Sequence, residues 1–383
     1  MKAIFFIIND FTERDYERFG FETFKKRNYL VEAWSFLPYL NKSYYDSLSI
    51  GPKYKNVTKV FAAKDDIINE ISKIQKNEIV ILCFLYNEKL NFIYDLLNKR
   101  KIRYGSMQLG MIPSNALKAN IWIKLKLILS PFTILKKIFT KFKLNKIHIN
   151  YDFFIYAGKE SLSRINKFIN QNTKLINSHS FDYDSFLKCK INHNDTNEEY
   201  AVFLDENVPF HSDVRILNIE PALKKIKPHK YYSELNRCFT AFEHKYGFKI
   251  KILSHPKSNY SNNNNPFQER EIVRNKPLNL VSQSKLVFTH ASTAVSYAIL
   301  FHKPIIIINS SNYNHSFQNS IDVLSQHLGV SSIDISKESY KINYSTNVNN
   351  IIYSNYKTNF IKEANSDDIL IWEMFCNYLD NND

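Results

Sequence analysis

Glycine is scarce in this sequence, which has only 7 among its 383 residues. Phosphate-binding loops are usually glycine-rich, and neither a GxGxxG nor a Walker sequence occurs here. Cysteine is equally scarce, and the four copies show no CxxC spacing: Cys83, Cys189, Cys238 and Cys376. This scatter fits a reducing compartment and gives no support to a thiolate metal site, so no metal or other cofactor is expected.

Long apolar runs and acidic charge are also in short supply. No uninterrupted apolar run reaches 18 residues, so a transmembrane helix is not expected. The apolar start, residues 1–8, is too short for a signal peptide, and we expect a cytoplasmic protein. Acidic residues number 37 against 51 Lys and Arg, a net charge of +14. That balance predicts an anionic partner: nucleic acid, a phospholipid surface or a phosphorylated substrate.

What the sequence does contain is a regular alternation of strand-like and helix-like stretches. Its length predicts two domains. Short apolar runs separated by amphipathic stretches predict parallel sheets flanked by helices, so the predicted fold class is α/β with two Rossmann-like domains and an active site in the cleft between them. The predicted N-terminal domain, on the acceptor side, covers residues 1–187. The predicted nucleotide-sugar-binding domain covers 188–366, and a last helix over 367–383 is predicted to pack back towards the first domain.

Residues 286–309 are predicted to form a complete β-turn-α-turn-β unit. Residues 286–289 and 305–308 are the two buried strands, with a helix over 294–301 between them. Ser292 and Thr293 stand where a helix N-cap belongs. In a parallel βαβ unit this turn lies at the carboxyl edge of the sheet, where ligands bind. The two residues could therefore form an anion site or only cap a core helix.

Three strands of the second half are followed by polar clusters, at 205–206, 254–257 and 290–293. Parallel strands bring such clusters to one crevice. The expected nucleotide- and phosphate-binding residues are Ser254, His255, Pro256, Lys257, His290, Ser292 and Thr293. Within this set, His255 and Lys257 can donate to phosphate oxygens, and Pro256 fixes the turn that aims the imidazole. A histidine in this position could equally be structural.

Asp10 follows the first predicted strand and is the candidate carboxylate of the first domain. It could act in the active site, or it could simply cap the first helix, which is predicted over residues 13–26. Asp205 and Glu206 are the candidate catalytic carboxylates of the second domain, although Asp205 could also only begin a turn.

A basic segment forms a predicted insertion at about 116–146. Between residues 96 and 151 there are twelve Lys or Arg and no Asp or Glu. Trp122 lies among apolar residues at helical spacing, and Lys136, Lys137 and Lys141 lie opposite a second apolar face. An apolar face opposed by lysines is typical of a helix that lies in a membrane interface. Two ordinary core-facing helices with a solvated basic side are the alternative. No recognised nucleic-acid motif accompanies the charge, so no specific nucleic-acid partner is expected.

The pairing of His255-Pro256 with Ser292-Thr293 across two nucleotide-binding folds resembles bacterial glycosyltransferases of the GT-B type. It is similar in particular to enzymes that use CMP-activated ulosonic acids, namely sialyltransferases and Kdo transferases of capsule and lipopolysaccharide loci. The similarity is best over residues 200–309 and concerns only the fold over the first 180 residues. It implies transfer of a ulosonic acid from a CMP-sugar to a glycan or glycolipid acceptor, on the inner face of the cytoplasmic membrane.

The resemblance also implies roles for individual residues. His255, helped by Ser292 and Thr293, would contact the CMP phosphate, and such an enzyme needs no metal. Asp205 resembles the carboxylate that acts as nucleophile in retaining Kdo transferases. The paired-acid-glycine motif of polysialyltransferases is missing from the first domain. An inverting mechanism would therefore need another base from the first domain, such as Asp10 or Glu13.

Two other functions remain open on the sequence. A UDP-sugar glycosyltransferase or UDP-sugar 2-epimerase would have the same architecture. A non-catalytic protein that binds anionic lipid or nucleic acid would account for the charge of +14. It would leave the three converging polar clusters unexplained.

Overall fold

The structure is a computed structural model of the 383-residue chain. It describes residues 1–48, 54–85, 87–114, 149–166, 168–189, 199–211, 226–261, 264–274, 276–337, 342–343 and 345–381. The predicted basic segment at 116–146, with Trp122, Lys136, Lys137 and Lys141, lies outside these ranges.

The first half of the chain forms a seven-stranded sheet in the order β3-β2-β1-β4-β5-β6-β7, with every described pair parallel. The strands are β1 Lys2–Ile7, β2 Leu30–Ser35, β3 Thr58–Val60, β4 Ile79–Leu82, β5 Arg103–Gln108, β6 Phe153–Ala157 and β7 Lys174–Ser178. Both faces of the central strand are covered, because Phe5 packs in one hydrophobic cluster and Phe6 in another. This explains why β1 is a continuous apolar run and not an alternating one.

The helices of this half connect the parallel strands. They are α1 Glu13–Arg18, α2 Phe21–Lys26, α3 Leu37–Leu40, α4 Lys42–Ser47, α5 Lys64–Ile71, α6 Asn91–Arg100, α7 Lys159–Ile165 and α8 Phe181–Lys188. Residues 13–26 therefore form two helices where the sequence predicted one. Gly20 separates them with a φ of 62°, a left-handed conformation that a helix interior does not contain.

The second half forms a six-stranded sheet in the order β10-β9-β8-β11-β12-β13, again with parallel pairs. Its strands are β8 Tyr200–Leu204, β9 Lys249–Leu253, β10 Ile272–Val273, β11 Leu286–Thr289, β12 Ile305–Asn309 and β13 Ser332–Asp334. Its helices are α9 Pro228–Tyr246, α10 Pro277–Gln283, α11 Val295–Leu300, α12 His315–Leu328 and α13 Asn350–Tyr356, and the last of these continues as a π-helix over Lys357–Ile361.

The last helix, α14 Ile371–Asp380, packs against the first sheet. The Trp372 ring meets Phe5 edge-on at 5.1 Å between centroids, and its Nε1–H donates to the Arg18 carbonyl at 2.7 Å. Gly20 lies directly beneath the indole, where a Cβ atom would collide with the ring. Gly20 thus has two roles: its backbone conformation ends α1 before α2 begins, and its lack of a side chain leaves room for Trp372 of α14.

Contacts between the two halves involve α8, which follows β7, and α11 of the second sheet. Tyr297 of α11 donates to the carboxylate of Asp182 on α8. Phe186 and Phe301 add a ring contact with centroids 5.4 Å apart. Residues 181–188 are therefore a helix that fixes one half against the other.

The strand orders settle the fold class. In each sheet the first strand of the unit is central, the next two extend to one side and the later ones to the other, which is the Rossmann arrangement. The prediction of two Rossmann-like domains with parallel sheets is confirmed, and the chain has the GT-B architecture. The domain boundaries at 187/188 and 366/367 stay predictions. Within the described ranges, the helices are all too short or too polar to span a lipid bilayer.

Candidate functional site

The carboxyl edge of the second sheet collects the polar groups that the sequence singled out. Neighbouring strands β9, β8 and β11 end at Leu253, Leu204 and Thr289, and each is followed at once by a polar segment. Adjacent strands lie about 4.8 Å apart, so the three segments span about 10 Å of the edge. They meet there as predicted for parallel strands.

Asp205 lies at the centre of this edge and is almost fully buried, with 5% of its surface exposed. Oδ1 accepts from the Asn207 backbone N–H at 2.9 Å, and Oδ2 accepts from the His255 N–H at 3.3 Å and the Tyr260 hydroxyl at 2.9 Å. Burial raises its pKa to about 6, and these hydrogen bonds lower it in part. Both oxygens are occupied, which suits a residue that holds the loops together better than one that attacks substrate.

Tyr260 is a partner of Asp205 that the sequence did not reveal. Its hydroxyl oxygen also lies 3.2 Å from that of Tyr232 on α9 and 3.3 Å from Oδ1 of Asn207. Burial raises the pKa of Tyr260, and the negative charge of Asp205 raises it further. The tyrosine therefore remains a hydrogen-bond donor to Asp205 at neutral pH. Nothing in its local sequence marks this role, because it depends on the folding of the loop after β9.

Glu206 connects β8 to the turn after β11. Its Oε1 accepts from the Ala291 backbone N–H at 2.8 Å. Burial raises the pKa of Glu206 to about 8, with the charge of Asp205 adding to the increase. The carboxyl group is therefore mostly protonated at neutral pH. A protonated Glu206 can donate a hydrogen bond at this edge without repelling an anion.

The loop after β9 carries His255, Pro256 and Lys257. Nδ1 of His255 accepts from the Lys257 backbone N–H at 3.2 Å, so a neutral ring carries its proton on Nε2. Arg274 fixes the loop by donating to the Ser258 carbonyl at 3.2 Å and to the Tyr260 carbonyl. The Ser254 hydroxyl is used within the protein, because it donates to the Val273 carbonyl at 3.3 Å.

His290 lies behind the site instead of facing it. It is fully buried, its Nδ1–H donates to the Ile308 carbonyl at 2.8 Å, and Nε2 accepts from the Tyr231 hydroxyl at 3.1 Å. Burial lowers the pKa of His290 to about 4, which keeps the ring neutral. Both nitrogens are engaged within the protein, so His290 supports the turn and has no surface for the phosphate contact that the sequence suggested.

Ser292 and Thr293 form a turn before α11 and do not cap it. The helix begins at Val295 with Ala294 as its N-cap, and no side chain caps it. The Ser292 hydroxyl accepts from the Ala294 N–H at 3.3 Å, and the Ser292 carbonyl accepts from the Val295 N–H at 3.2 Å. Thr293 is exposed and Ser292 half-buried. Because α11 has only six residues, any phosphate binding here would depend on these hydroxyls and not on the helix dipole.

Asp10 joins this site from the first domain. It follows β1, at the carboxyl edge of the first sheet. The pKa of Asp10 is raised, mainly by burial and also by the negative charge of Asp15. A hydrogen bond from the Phe11 backbone N–H and the positive charge of Lys257 offset part of this increase. Asp10 and Lys257 follow strands of different sheets, so the carboxyl edges of the two sheets lie near each other at this point, and we call the space between them the cleft. The first helix is capped by Thr12, through a capping box with Asp15, and not by Asp10.

The cleft therefore combines cationic and neutral donors with carboxyl groups of different acidity. His255, Lys257 and Ser292 can receive a phosphate, and Glu206 can add a neutral donor. Asp10 is a carboxylate on the opposite side that could accept a proton. Among the residues that the structure describes, no group of three or more His, Cys, Asp or Glu side chains is arranged to hold a metal ion.

Comparisons with known proteins concern the fold alone. No protein-family model and no curated protein matches the sequence. Solved structures similar in fold include a Methanocaldococcus jannaschii UDP-GlcNAc 2-epimerase in complex with UDP-GlcNAc and UDP, with 11% identity, 93% of this chain and 98% of that chain covered, and a TM-score of 0.44.

Two further similar structures are named as a polymerase and a glycosyltransferase. The wall teichoic acid polymerase TagF has 11% identity over 80% of this chain and 70% of that chain, with a TM-score of 0.47. The glycosyltransferase SnogD from Streptomyces nogalater has 7% identity over 85% of this chain and 84% of that chain, with a TM-score of 0.44. Similarity of this degree says nothing about the activity or ligands of the present chain.

Proposed function

We propose that this protein is a glycosyltransferase that takes its sugar from a nucleotide-activated donor bound between the two domains. The observation that supports the proposal is the electrostatic interaction of Asp10 with Lys257, which links the carboxyl edge of the first sheet to the loop after β9 of the second. Open α/β sheets bind ligands at this edge. A donor held by the second domain and an acceptor held by the first would meet there.

The groups in the cleft suit transfer of a sugar from a nucleotide to a hydroxyl. The acceptor oxygen forms a bond to the anomeric carbon, the bond from that carbon to the phosphate oxygen breaks, and the nucleotide leaves with the electron pair. Asp10 would take the proton of the acceptor hydroxyl, a task suited by its raised pKa. Lys257, His255 and Ser292 would stabilise the charge that develops on the departing phosphate.

The donor class is the finer part of the proposal. The His255-Pro256 and Ser292-Thr293 pairing resembles enzymes that use CMP-activated ulosonic acids, whereas a UDP-sugar would fit the same architecture. Incubation of the protein with CMP-sialic acid, CMP-Kdo or UDP-GlcNAc, together with glycan acceptors, should release free nucleotide from one donor class. Asp10→Asn should lower the release at least 100-fold. Asp46→Asn, at an exposed aspartate of α4, is the matched control. Equal release by Asp10→Asn and Asp46→Asn would contradict the role of Asp10.

A retaining route through Asp205 can be tested separately. Intact-mass spectrometry of the protein under turnover should show an added sugar if Asp205 forms a glycosyl-enzyme intermediate, and none in Asp205→Ala. The enclosure of both Asp205 oxygens leads us to expect no adduct on the wild-type protein.

Epimerisation of a UDP-sugar is the second candidate function. It is favoured by the carboxyl groups on the two sides of the cleft, Asp10 in the first domain and Glu206 in the second, both with a pKa raised by burial. Pairs of this kind serve as base and acid in proton transfer. Appearance of the C2 epimer of UDP-GlcNAc by NMR, without any acceptor, would establish this function in place of sugar transfer.

Peripheral contact with the inner face of the cytoplasmic membrane remains part of the proposal. It rests on the basic, acid-free sequence between 96 and 151. The triple substitution Lys136→Glu, Lys137→Glu and Lys141→Glu should abolish binding to liposomes that contain anionic lipid. Undiminished binding would exclude these lysines as the anchor.

A further inference from the structure

Arg14 lies on the first-domain side of the cleft. It is in α1, four residues after Asp10. The charge of Lys257, from the second domain, lowers the pKa of Asp10. The neighbour of Arg14 on the helix face, Arg18, has Nη2 3.6 Å from Oδ1 of Asp182. The same Asp182 carboxylate accepts from Tyr297, one helical turn after the Ser292–Thr293 turn. Arg14 also interacts electrostatically with Asp182, so it lies near α11, the helix that follows the Ser292–Thr293 turn.

The charge of Arg14 is poorly compensated by the protein. Its Nε–H is enclosed and has no acceptor among the described residues. Its Nη2 lies 3.5 Å from Oδ1 of Asp15, a long contact, while Oδ2 of Asp15 is used by the backbone N–H and hydroxyl of Thr12 at 3.1 and 2.7 Å. Burial lowers the pKa of Arg14 and the nearby charge of Arg18 lowers it further, while Asp15 and Asp182 offset part of this decrease.

An oxyanion is the ligand that such an arginine lacks. A guanidinium group presents N–H groups in a planar fork that matches carboxylate or phosphate oxygens two at a time. The Arg14 side chain is 39% exposed, so part of it faces solvent at the cleft. A small rotation of the Arg14 side chain would turn its Nε–Nη edge towards the cleft. A bound oxyanion would then accept from the unpaired Nε–H and would offset the charge of the neighbouring Arg18.

We propose that Arg14 binds an oxyanion of the substrate, either the phosphate of the nucleotide or a carboxylate on the transferred sugar. This rests on the proposed function, since it assumes a nucleotide sugar in the cleft. It adds a specificity-determining residue from the first domain, so that both domains would contact the same donor and close around it.

The test compares three classes of ligand in calorimetric titrations of the full chain. CMP and UMP offer phosphate alone, UDP-GlcNAc adds a neutral sugar, and CMP-sialic acid adds a sugar carboxylate. The variants are Arg14→Gln, Arg14→Lys and a matched control, Lys73→Gln, which removes one positive charge from a side chain that is 71% exposed. Thermal unfolding of each free variant checks that it folds, and Arg14→Lys keeps the test valid if Arg14→Gln does not.

Loss of a charged hydrogen-bond pair should weaken binding about 10- to 100-fold in Arg14→Gln, with a smaller loss in Arg14→Lys. A loss shared by all ligands identifies the phosphate, and a loss confined to CMP-sialic acid identifies the sugar carboxylate. If every ligand binds Arg14→Gln as tightly as Lys73→Gln, the inference is wrong although the proposed function stands. If the wild-type protein binds no nucleotide, the proposed function itself fails.

Discussion

Replacing Glu206 by Gln should stabilise the protein, and more so as the pH rises. The folded protein holds the pKa of Glu206 at about 8, against an ordinary value of 4.5, mainly because of burial. Between these two values the unfolded chain ionises Glu206 while the folded chain keeps it protonated. Stability contributed by the neutral carboxyl group is complete below about pH 4.5 and is lost as the pH rises to about 8.

The size of the effect follows from the two pKa values. An increase from 4.5 to about 8 corresponds to at most about 5 kcal/mol of stability lost across this range. The side chain is only partly buried by area, so solvent should reduce the effect to about 2 to 3 kcal/mol. Gln has the same shape, can still accept from the Ala291 N–H and does not ionise. Glu206→Gln should therefore not lose this stability as the pH rises.

Thermal unfolding from pH 5 to pH 8.5 measures the difference. The melting temperature of Glu206→Gln should rise relative to wild type by about 5 to 10 °C across this range. Glu269→Gln, at an exposed position, controls for the simple removal of a carboxylate. Parallel curves for wild type and Glu206→Gln would refute the conclusion that the folded protein keeps Glu206 neutral.

Three further predictions concern the same elements. Gly20→Ala should destabilise the protein by at least about 1–2 kcal/mol, because alanine is strained in the left-handed backbone conformation and its Cβ atom would displace the Trp372 ring. An unchanged melting temperature would contradict this prediction. Tyr260→Phe should raise the pKa of Asp205, because it removes a hydrogen bond to the carboxylate. An NMR titration of the Asp205 carboxyl carbon measures this pKa, and an unchanged value would show that the hydroxyl is not needed. Nucleotide affinity should fall as the pH rises past about 8, because Glu206 ionises there and repels phosphate. Glu206→Gln should remove this pH dependence. Calorimetric titrations at pH 7 and pH 9 measure the affinity.

The strand pattern could be predicted from the sequence because it depends on local composition. Buried parallel strands such as Ile305–Asn309 are apolar on both faces, and the turn residues between elements mark their ends. The convergence of the segments at 205–206, 254–257 and 290–293 then follows from the parallel arrangement alone. These parts of the site required no knowledge of side-chain contacts.

The remaining parts depend on contacts between residues far apart in the chain. Residues 181–188 are too polar to stand out as a core helix, yet Asp182 accepts a hydrogen bond from Tyr297 of the other half. The break at Gly20 depends on Trp372 of the last helix. His290 looked like a ligand-binding residue because a histidine follows a strand there, but Tyr231 occupies its outward nitrogen. Spacing along the sequence carries no signal for such pairs.

Hydrogen–deuterium exchange with and without donor tests the central claim, a nucleotide-sugar site between the two carboxyl edges. With CMP-sialic acid or UDP-GlcNAc present, residues 205–207, 254–258 and 290–294 of the second domain and residues 9–14 of the first should exchange more slowly together. The exposed helix Lys64–Ile71 should be unchanged and serves as an internal reference. Protection that is absent for every donor, or that falls outside these segments, would contradict the account.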